Sequence, residues 1–257
     1  MKISIVGAGH VATHFSIRLQ QLGFEIAGVF SRTQESAQLL ADKLGGVFCT
    51  TSIDRLPKAD ICLVALTDGA LQQLCPQIVK TQQGKALFLH TAGSVDMNIW
   101  KENGASRYGV LYPMQTFSKN NPIDWKTVTL FVEAANSQDT EFLLDLGKKM
   151  SQKVYPSTSA ERLEMHLAAV FCCNFINSMF DISSKILTEI GLPFDIMYPL
   201  IDETVRKSRL MPPAQAQTGP AVRGDRNVMD KHLALLENKE LWSEIYKLIS
   251  KNIQLSK

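Results

Sequence analysis

The residues with the clearest chemistry stand near the amino terminus, where Gly7-Ala8-Gly9-His10-Val11-Ala12 follows directly on the apolar run "KISIV". Glycine at the first motif position allows a tight turn, and glycine at the second lets a ligand approach the backbone. A small residue at the third lets a helix pack closely on a strand. A helix beginning here offers free N–H groups and its positive dipole end to an anion such as pyrophosphate. Gly7, Gly9, His10, Val11 and Ala12 are therefore expected at a dinucleotide, with His10 either approaching a ribose or capping the turn. At the tip of the next apolar run, "FEIAGVFSR", stand Ser31, Arg32 and Thr33, where NAD-binding proteins commonly carry a carboxylate. A guanidinium and two hydroxyls suit a 2′-phosphate, so the pattern predicts NADP (NADPH) rather than NAD. The alternative is a solvated arginine in a surface loop.

Three further strand ends bring polar groups to the same sheet edge, where open α/β sheets bind their ligands. Leu66, Thr67 and Asp68 end one run and are expected beside the cofactor. His90-Thr91-Ala92-Gly93-Ser94 ends another, near the reach of a nicotinamide ring; Ser94 either orients a substrate or caps the helix "VDMNIWKEN". Tyr112-Pro113-Met114-Gln115 ends a third, and Gln115 is a candidate substrate contact. Helical spacing places His166, Val170, Asn174 and Asn177 on one face of a later helix. Polar groups in so apolar a segment need partners if buried, from other helices or in a cleft. In a cleft His166 is the first candidate proton donor, because imidazole titrates near neutrality, and His90 the second. Asn174 and Ser94 would orient the substrate and Asn177 would contact it. In "TGPAVRGD", Arg223 is the candidate anchor for a carboxylate substrate, with Asp225 as its orienting partner. Read as a plain turn, the same stretch makes Asp225 a cap for "RNVMDKHL". No metal is expected, since no CxxC or HExxH spacing occurs.

These residues need a sheet to carry them. Apolar runs and helical segments alternate through residues 1–157, which predicts an α/β Rossmann domain with a doubly wound, mostly parallel sheet. From "YPSTSAER" onward the strand signals stop, and residues 158–257 read as an all-α domain whose Ser-Thr-Ser supplies a helix N-cap. The 257 residues suit two domains, and a formal net charge of +2 offers no field for nucleic acid. Five cysteines without paired spacing fit a reducing cytosol rather than a disulfide framework. The first strand leaves no room for a signal peptide, and "HLAAVFCCNFINSMF" is interrupted by asparagine and short for a membrane span. A cytoplasmic location is expected. Apolar residues such as Trp242, Ile245, Leu248 and Ile249 exceed what the helical half hides easily, so it is expected to form a homodimer.

In order along the chain, "IVGAGHVA", "FSR", "VALTD", "HTAGS", "YPMQTF", "HLAAVFCCNF" and "TGPAVRGD" resemble the family that joins a Rossmann-like domain to a carboxy-terminal domain of unknown function. Its members are described as candidate NADP-dependent oxidoreductases. More distantly the chain is similar to pyrroline-5-carboxylate reductase and to the 6-phosphogluconate and 3-hydroxyisobutyrate dehydrogenases. The resemblance implies a helical domain of the 6-phosphogluconate dehydrogenase type and cofactor roles for Gly7, Gly9, Ala12, Ser31 and Arg32. It also implies that the "HLAAVFCCN" helix faces the nicotinamide. Those two dehydrogenases carry a catalytic lysine shortly before an asparagine on that helix. Asn174 has no lysine at the matching spacing, so their alcohol-oxidation mechanism does not transfer. The expected activity is a reductase moving hydride between NADPH and a small carbonyl or imine substrate, which could bear a carboxylate. The alternatives are an NADP-binding sensor or scaffold without chemistry, and a reductase using the deazaflavin F420.

Overall fold

Strands that alternate their apolar side chains between two covered faces read as unbroken apolar runs, and such runs build the sheet here. The computed structural model describes residues 1–118 and 121–256. Its strands are β1 (Lys2–Val6), β2 (Glu25–Phe30), β3 (Cys49–Thr50), β4 (Ile61–Val64), β5 (Leu87–His90), β6 (Tyr108–Met114), β7 (Thr129–Ala134) and β8 (Lys153–Pro156). They form one sheet in the order β3-β2-β1-β4-β5-β6-β7-β8, parallel except where β6 meets β7. The first six follow the doubly wound dinucleotide-binding order, which reverses direction beside β1. This is the expected α/β Rossmann architecture. Neither edge strand shows as an apolar run: β3 is two residues long, and β8 is largely exposed.

Five helices cover this sheet: α1 (His10–Gln21), α2 (Gln34–Lys43), α3 (Asp68–Thr81), α4 (Asn98–Glu102) and α5 (Ser137–Met150). One face packs Ile3, Ile5, Leu63 and Leu89 against Ala12 and Phe15 of α1, Leu40 of α2 and Leu143 of α5. The other packs Val6, Val64 and Phe88 against Leu71 and Ile78 of α3 and Trp100 of α4. Neighbouring residues of one strand, such as Phe88 and Leu89, thus serve opposite cores.

A reciprocal capping box opens the next helix, α6 (Ser159–Ala169). Thr158 accepts from the Glu161 N–H at 3.2 Å, and the Glu161 carboxylate accepts from the Thr158 N–H at 2.8 Å. The chain divides into two compact units, Met1–Phe171 and Cys172–Lys257, so α6 belongs with the sheet although the sequence signal changes where α6 begins. A π-helical turn, Val170–Phe175, links α6 to α7 (Ile176–Glu189). The helix is unbroken through residues 159–189, long and apolar enough by length and composition to cross a membrane. The asparagines of "HLAAVFCCNFINSMF" do not end the helix.

The second unit is helical. After α7 come α8 (Tyr198–Leu210), α9 (Pro213–Ala216), α10 (Pro220–Arg223), α11 (Arg226–Leu235) and α12 (Glu240–Leu255). The short α10 packs on α11 and α12, and its Ala221 is buried. Gly219 and Gly224 bracket it at φ of 110° and 69°, the left-handed region that favours glycine.

Candidate active site

The carboxyl ends of β1, β2 and β4 enclose a cleft of about 400 Å³. Gly7, Gly9 and His10 line it from β1, Ser31, Arg32 and Thr33 from β2, and Leu66 and Thr67 from β4. Gly7 adopts φ 112°, and a Cβ there would collide with the Ala65 carbonyl. Gly9 caps α1 without any side-chain hydrogen bond, no acidic residue occupies the first turn, and a Cβ on Gly9 would meet nothing within 4 Å. The helix end is thus bare N–H groups facing open space, the arrangement a pyrophosphate needs. Arg32 is exposed and forms no ion pair among the described residues. Thr33 caps α2, and Ser36 lines the cleft one turn further on. A dinucleotide with a 2′-phosphate fits this donor set: backbone N–H groups for the diphosphate, a guanidinium and hydroxyls for the extra phosphate.

Val11 and Ala12 do not line the cleft. Ala12 is fully buried in the core, so its small side chain serves helix–strand packing. Asp68 opens α3 and accepts a hydrogen bond from the Ser94 hydroxyl, which joins the ends of β4 and β5. Ser94 is therefore no helix cap; α4 begins at Asn98, whose N–H is met by Asp96 at 2.7 Å. The His10 Nδ1–H donates to the Phe117 carbonyl at 2.8 Å, which pins the loop after β6 onto α1. Gln115 turns back on that loop, accepting from the Thr116 N–H at 2.8 Å.

A second group forms where α6 crosses β5, β6 and β7. Arg162, fully buried, pairs with Glu133 of β7 and donates to the Val95 carbonyl at 2.5 Å and to Ser159 Oγ at 3.1 Å. One turn later His166 lies half-buried against Gly93, where a Cβ would stand 2.7 Å from its Cγ and Nδ1. The same Nδ1 is 3.2 Å from the hydroxyl of Tyr112 on β6, and the two rings meet edge to face. Burial raises the Tyr112 phenol above its ordinary range, the Arg162 guanidinium opposing this more weakly. The phenol therefore stays protonated at neutral pH.

His90 is corrected as a proton donor. It is fully buried beside Trp100, and its Nδ1 accepts from the Ala92 N–H at 3.2 Å. Burial, with help from the Arg162 charge, takes the ring down to about 3, so at neutral pH it has no proton to give as an imidazolium.

In the helical unit Asn174 and Asn177 are both exposed. Asn174 lies within the π turn and Asn177 beyond it, on α7. Asp225 is corrected as the partner of Arg223: its carboxylate caps α11, accepting from the Val228 N–H at 3.3 Å. Arg223 is exposed and free of ion pairs among the described residues.

Residues 2–92 match the family described as NADP oxidoreductase, coenzyme F420-dependent, and residues 128–253 match the domain of unknown function DUF2520. A solved structure from Bacteroides fragilis, named as a candidate NADP oxidoreductase, is 43% identical over 98% of this chain and 97% of its own, with a TM-score of 0.93. The chain belongs to this two-domain NADP oxidoreductase family. A Thermotoga maritima protein is 22% identical, with a TM-score of 0.76 over 97% of this chain and 98% of its own. An imine reductase from Myxococcus stipitatus, solved with NADP+, is 14% identical, with a TM-score of 0.68 over 100% and 94%. At such identities these two share the fold alone, as do the pyrroline-5-carboxylate reductases. No curated protein matches the chain.

Within this oxidoreductase family frame, several residues of the site escape a reading by type and spacing. Ser36 repeats the hydroxyl of Thr33 at helical spacing, and that spacing is its mark in the sequence. Arg162 and Glu133 look like ordinary surface charges, since nothing in "SAERLEMH" announces that one guanidinium is buried. Gly93 and Tyr112 lie inside segments singled out for Ser94 and Gln115, but only the fold shows which members of those segments touch a histidine.

Proposed function

We propose that the protein is a reductase that moves hydride between NADPH and a small carbonyl or imine compound. The observation that carries this is the cleft at β1, β2 and β4, where bare helix N–H groups stand beside an arginine with no ion pair among the described residues. Bound there, NADPH would supply the hydride. The first turn of α1 would hold the diphosphate, and Arg32 with Thr33 and Ser36 would hold the 2′-phosphate.

Reduction of a C=O or C=N group takes hydride at carbon and a proton at oxygen or nitrogen. His166 as imidazolium gives that proton, which leaves a neutral ring to be recharged from water. Ser94, held by Asp68, is a hydrogen-bonding group on the same sheet edge. The exposed Asn174, Asn177 and Gln115 are candidate substrate contacts, and Arg223 suits a substrate carboxylate. All five cysteines are free thiols, which supports a cytoplasmic setting. The working form is a homodimer.

Titration of NADPH and NADH onto wild-type protein and the Arg32→Ala variant tests the cofactor reading. Loss of the guanidinium should weaken NADPH by roughly 10–100-fold and leave NADH little changed. Equal wild-type affinities for the two nucleotides would overturn it. The family description also names coenzyme F420. A parallel assay with the reduced deazaflavin, against ketoacids, aldehydes and cyclic imines, separates that second reading. Tight NADPH binding without turnover of any substrate by either donor would leave a nucleotide sensor.

A further inference from the structure

We propose that Tyr112 and Gly93 are positioning residues for His166: together they take up its Nδ1 edge, so that Nε2 is the nitrogen that exchanges the proton. The observations are geometric. Tyr112 Oη lies 3.2 Å from Nδ1, and a Cβ on Gly93 would stand 2.7 Å from the same nitrogen. The imidazole thus rests edge-on in a niche between β5 and β6 that exists only because position 93 lacks a side chain. Nε2, on the opposite edge of the ring, points away from both contacts and makes no hydrogen bond among the described residues.

A phenol oxygen accepts hydrogen bonds, so one contact from Nδ1–H serves both charge states of the ring. With His166 neutral after giving up the Nε2 proton, Nδ1–H still donates to the phenol oxygen and Nε2 carries the free lone pair. With His166 charged, Nδ1–H donates to the phenol oxygen and Nε2–H remains available. The phenol is suited to this because it is buried, stays protonated and finds no other hydrogen-bond partner among the described residues. The niche is fixed in turn by Arg162, which ties α6 to Glu133 and to the Val95 carbonyl two residues beyond Gly93. Rotating the ring to exchange its edges would put a C–H against the phenol and forfeit the hydrogen bond. The contact therefore selects ring orientation as well as location.

The kinetic part of this proposal rests on His166 being the proton donor of the reductase; the structural part does not. Protein labelled with ¹⁵N-histidine provides the deciding measurement, with Tyr112→Phe and Gly93→Ala as the variants. The His166 Nδ1 resonance should move in both variants, while NADPH affinity stays within about twofold of wild type. Where a substrate turns over, Tyr112→Phe should lower kcat about tenfold with KM nearly unchanged, as for loss of one orienting hydrogen bond. An Nδ1 resonance that is the same in wild type and Tyr112→Phe would overturn the proposal, whether or not a substrate has been found. So would a loss confined to KM. Failure of every substrate would count against the reductase reading alone, with the resonance still deciding the niche.

Discussion

Burial holds the His90 ring near a pKa of about 3, against 6.5 for an ordinary histidine. Between those values the unfolded chain binds a proton that the folded chain refuses, so stability rises with pH across that window. The His90 contribution is complete above 6.5 and is lost progressively as pH falls towards 3. Each pH unit well inside the window costs up to about 1.4 kcal/mol. His90→Asn keeps an acceptor for the Ala92 N–H without a titrating ring. Urea denaturation should show stability falling less steeply from about pH 6 to about pH 5 in this variant than in wild type; equal slopes would refute a buried neutral His90. Asp225 and Arg223 part company by the same logic of surroundings. Asp225→Ala removes a helix cap and should cost about 1 kcal/mol. Arg223→Ala, with no ion pair to lose among the described residues, should stay within about 0.5 kcal/mol of wild type. If both variants lost stability equally, the two side chains would form a pair after all. Residue type and spacing identify an imidazole or a carboxylate at a loop, but not the atoms packed around it, and those decide whether it caps, titrates or reacts.

Arg162 and Glu133 fasten an element rather than a single group. Their pairing brings α6 down on β7, and the bond from Arg162 to Val95 holds the loop after β5 against the same helix. Arg162→Met would leave Glu133 facing a hydrophobic stem, and breaking a buried pair in this way costs about 3–5 kcal/mol. Adding Glu133→Gln removes the stranded charge and should recover part of that loss in denaturant titration. A double variant no more stable than Arg162→Met would show that the pair does not act as a unit. Elements of this kind set the limit of what the sequence conveys. Strands β1, β2 and β4 to β7 are legible because both of their faces are covered, which makes them unbroken apolar runs. The glycine turn and Arg32 are legible because phosphate binding needs particular residue types at a strand end. The edge strand β3 is two residues long and β8 is largely exposed, and pairing with a neighbour rather than composition makes them strands. The π turn leaves no mark in the pattern either, since its residues suit an α-helix equally well.

At the scale of the whole molecule the two units differ in how they hide apolar surface. The sheet unit has two extensive cores, whereas among the described residues of the helical unit only Leu187, Ala221 and Leu236 are buried apolar side chains. Leu200, Leu210, Leu235 and Leu248 are 64%, 65%, 78% and 67% exposed. Single exposed leucines are ordinary, but this many on one helical unit is not, and large exposed apolar surfaces mark association sites. Closed two-fold dimers are the commonest way to cover such a surface. The chain has a mass of 28.6 kDa, and light scattering at micromolar concentration should return twice that value. Leu200→Asp combined with Leu248→Asp should shift the population towards monomer, because an unpaired carboxylate cannot be buried at an interface without a large penalty. Coupling of folding to association also predicts that thermal stability rises with protein concentration in the wild type and loses that dependence in the double variant. A wild-type chain that is monomeric and melts at the same temperature over a hundredfold range of concentration would remove the dimer, and the helical unit would then stand folded with its apolar surface in water.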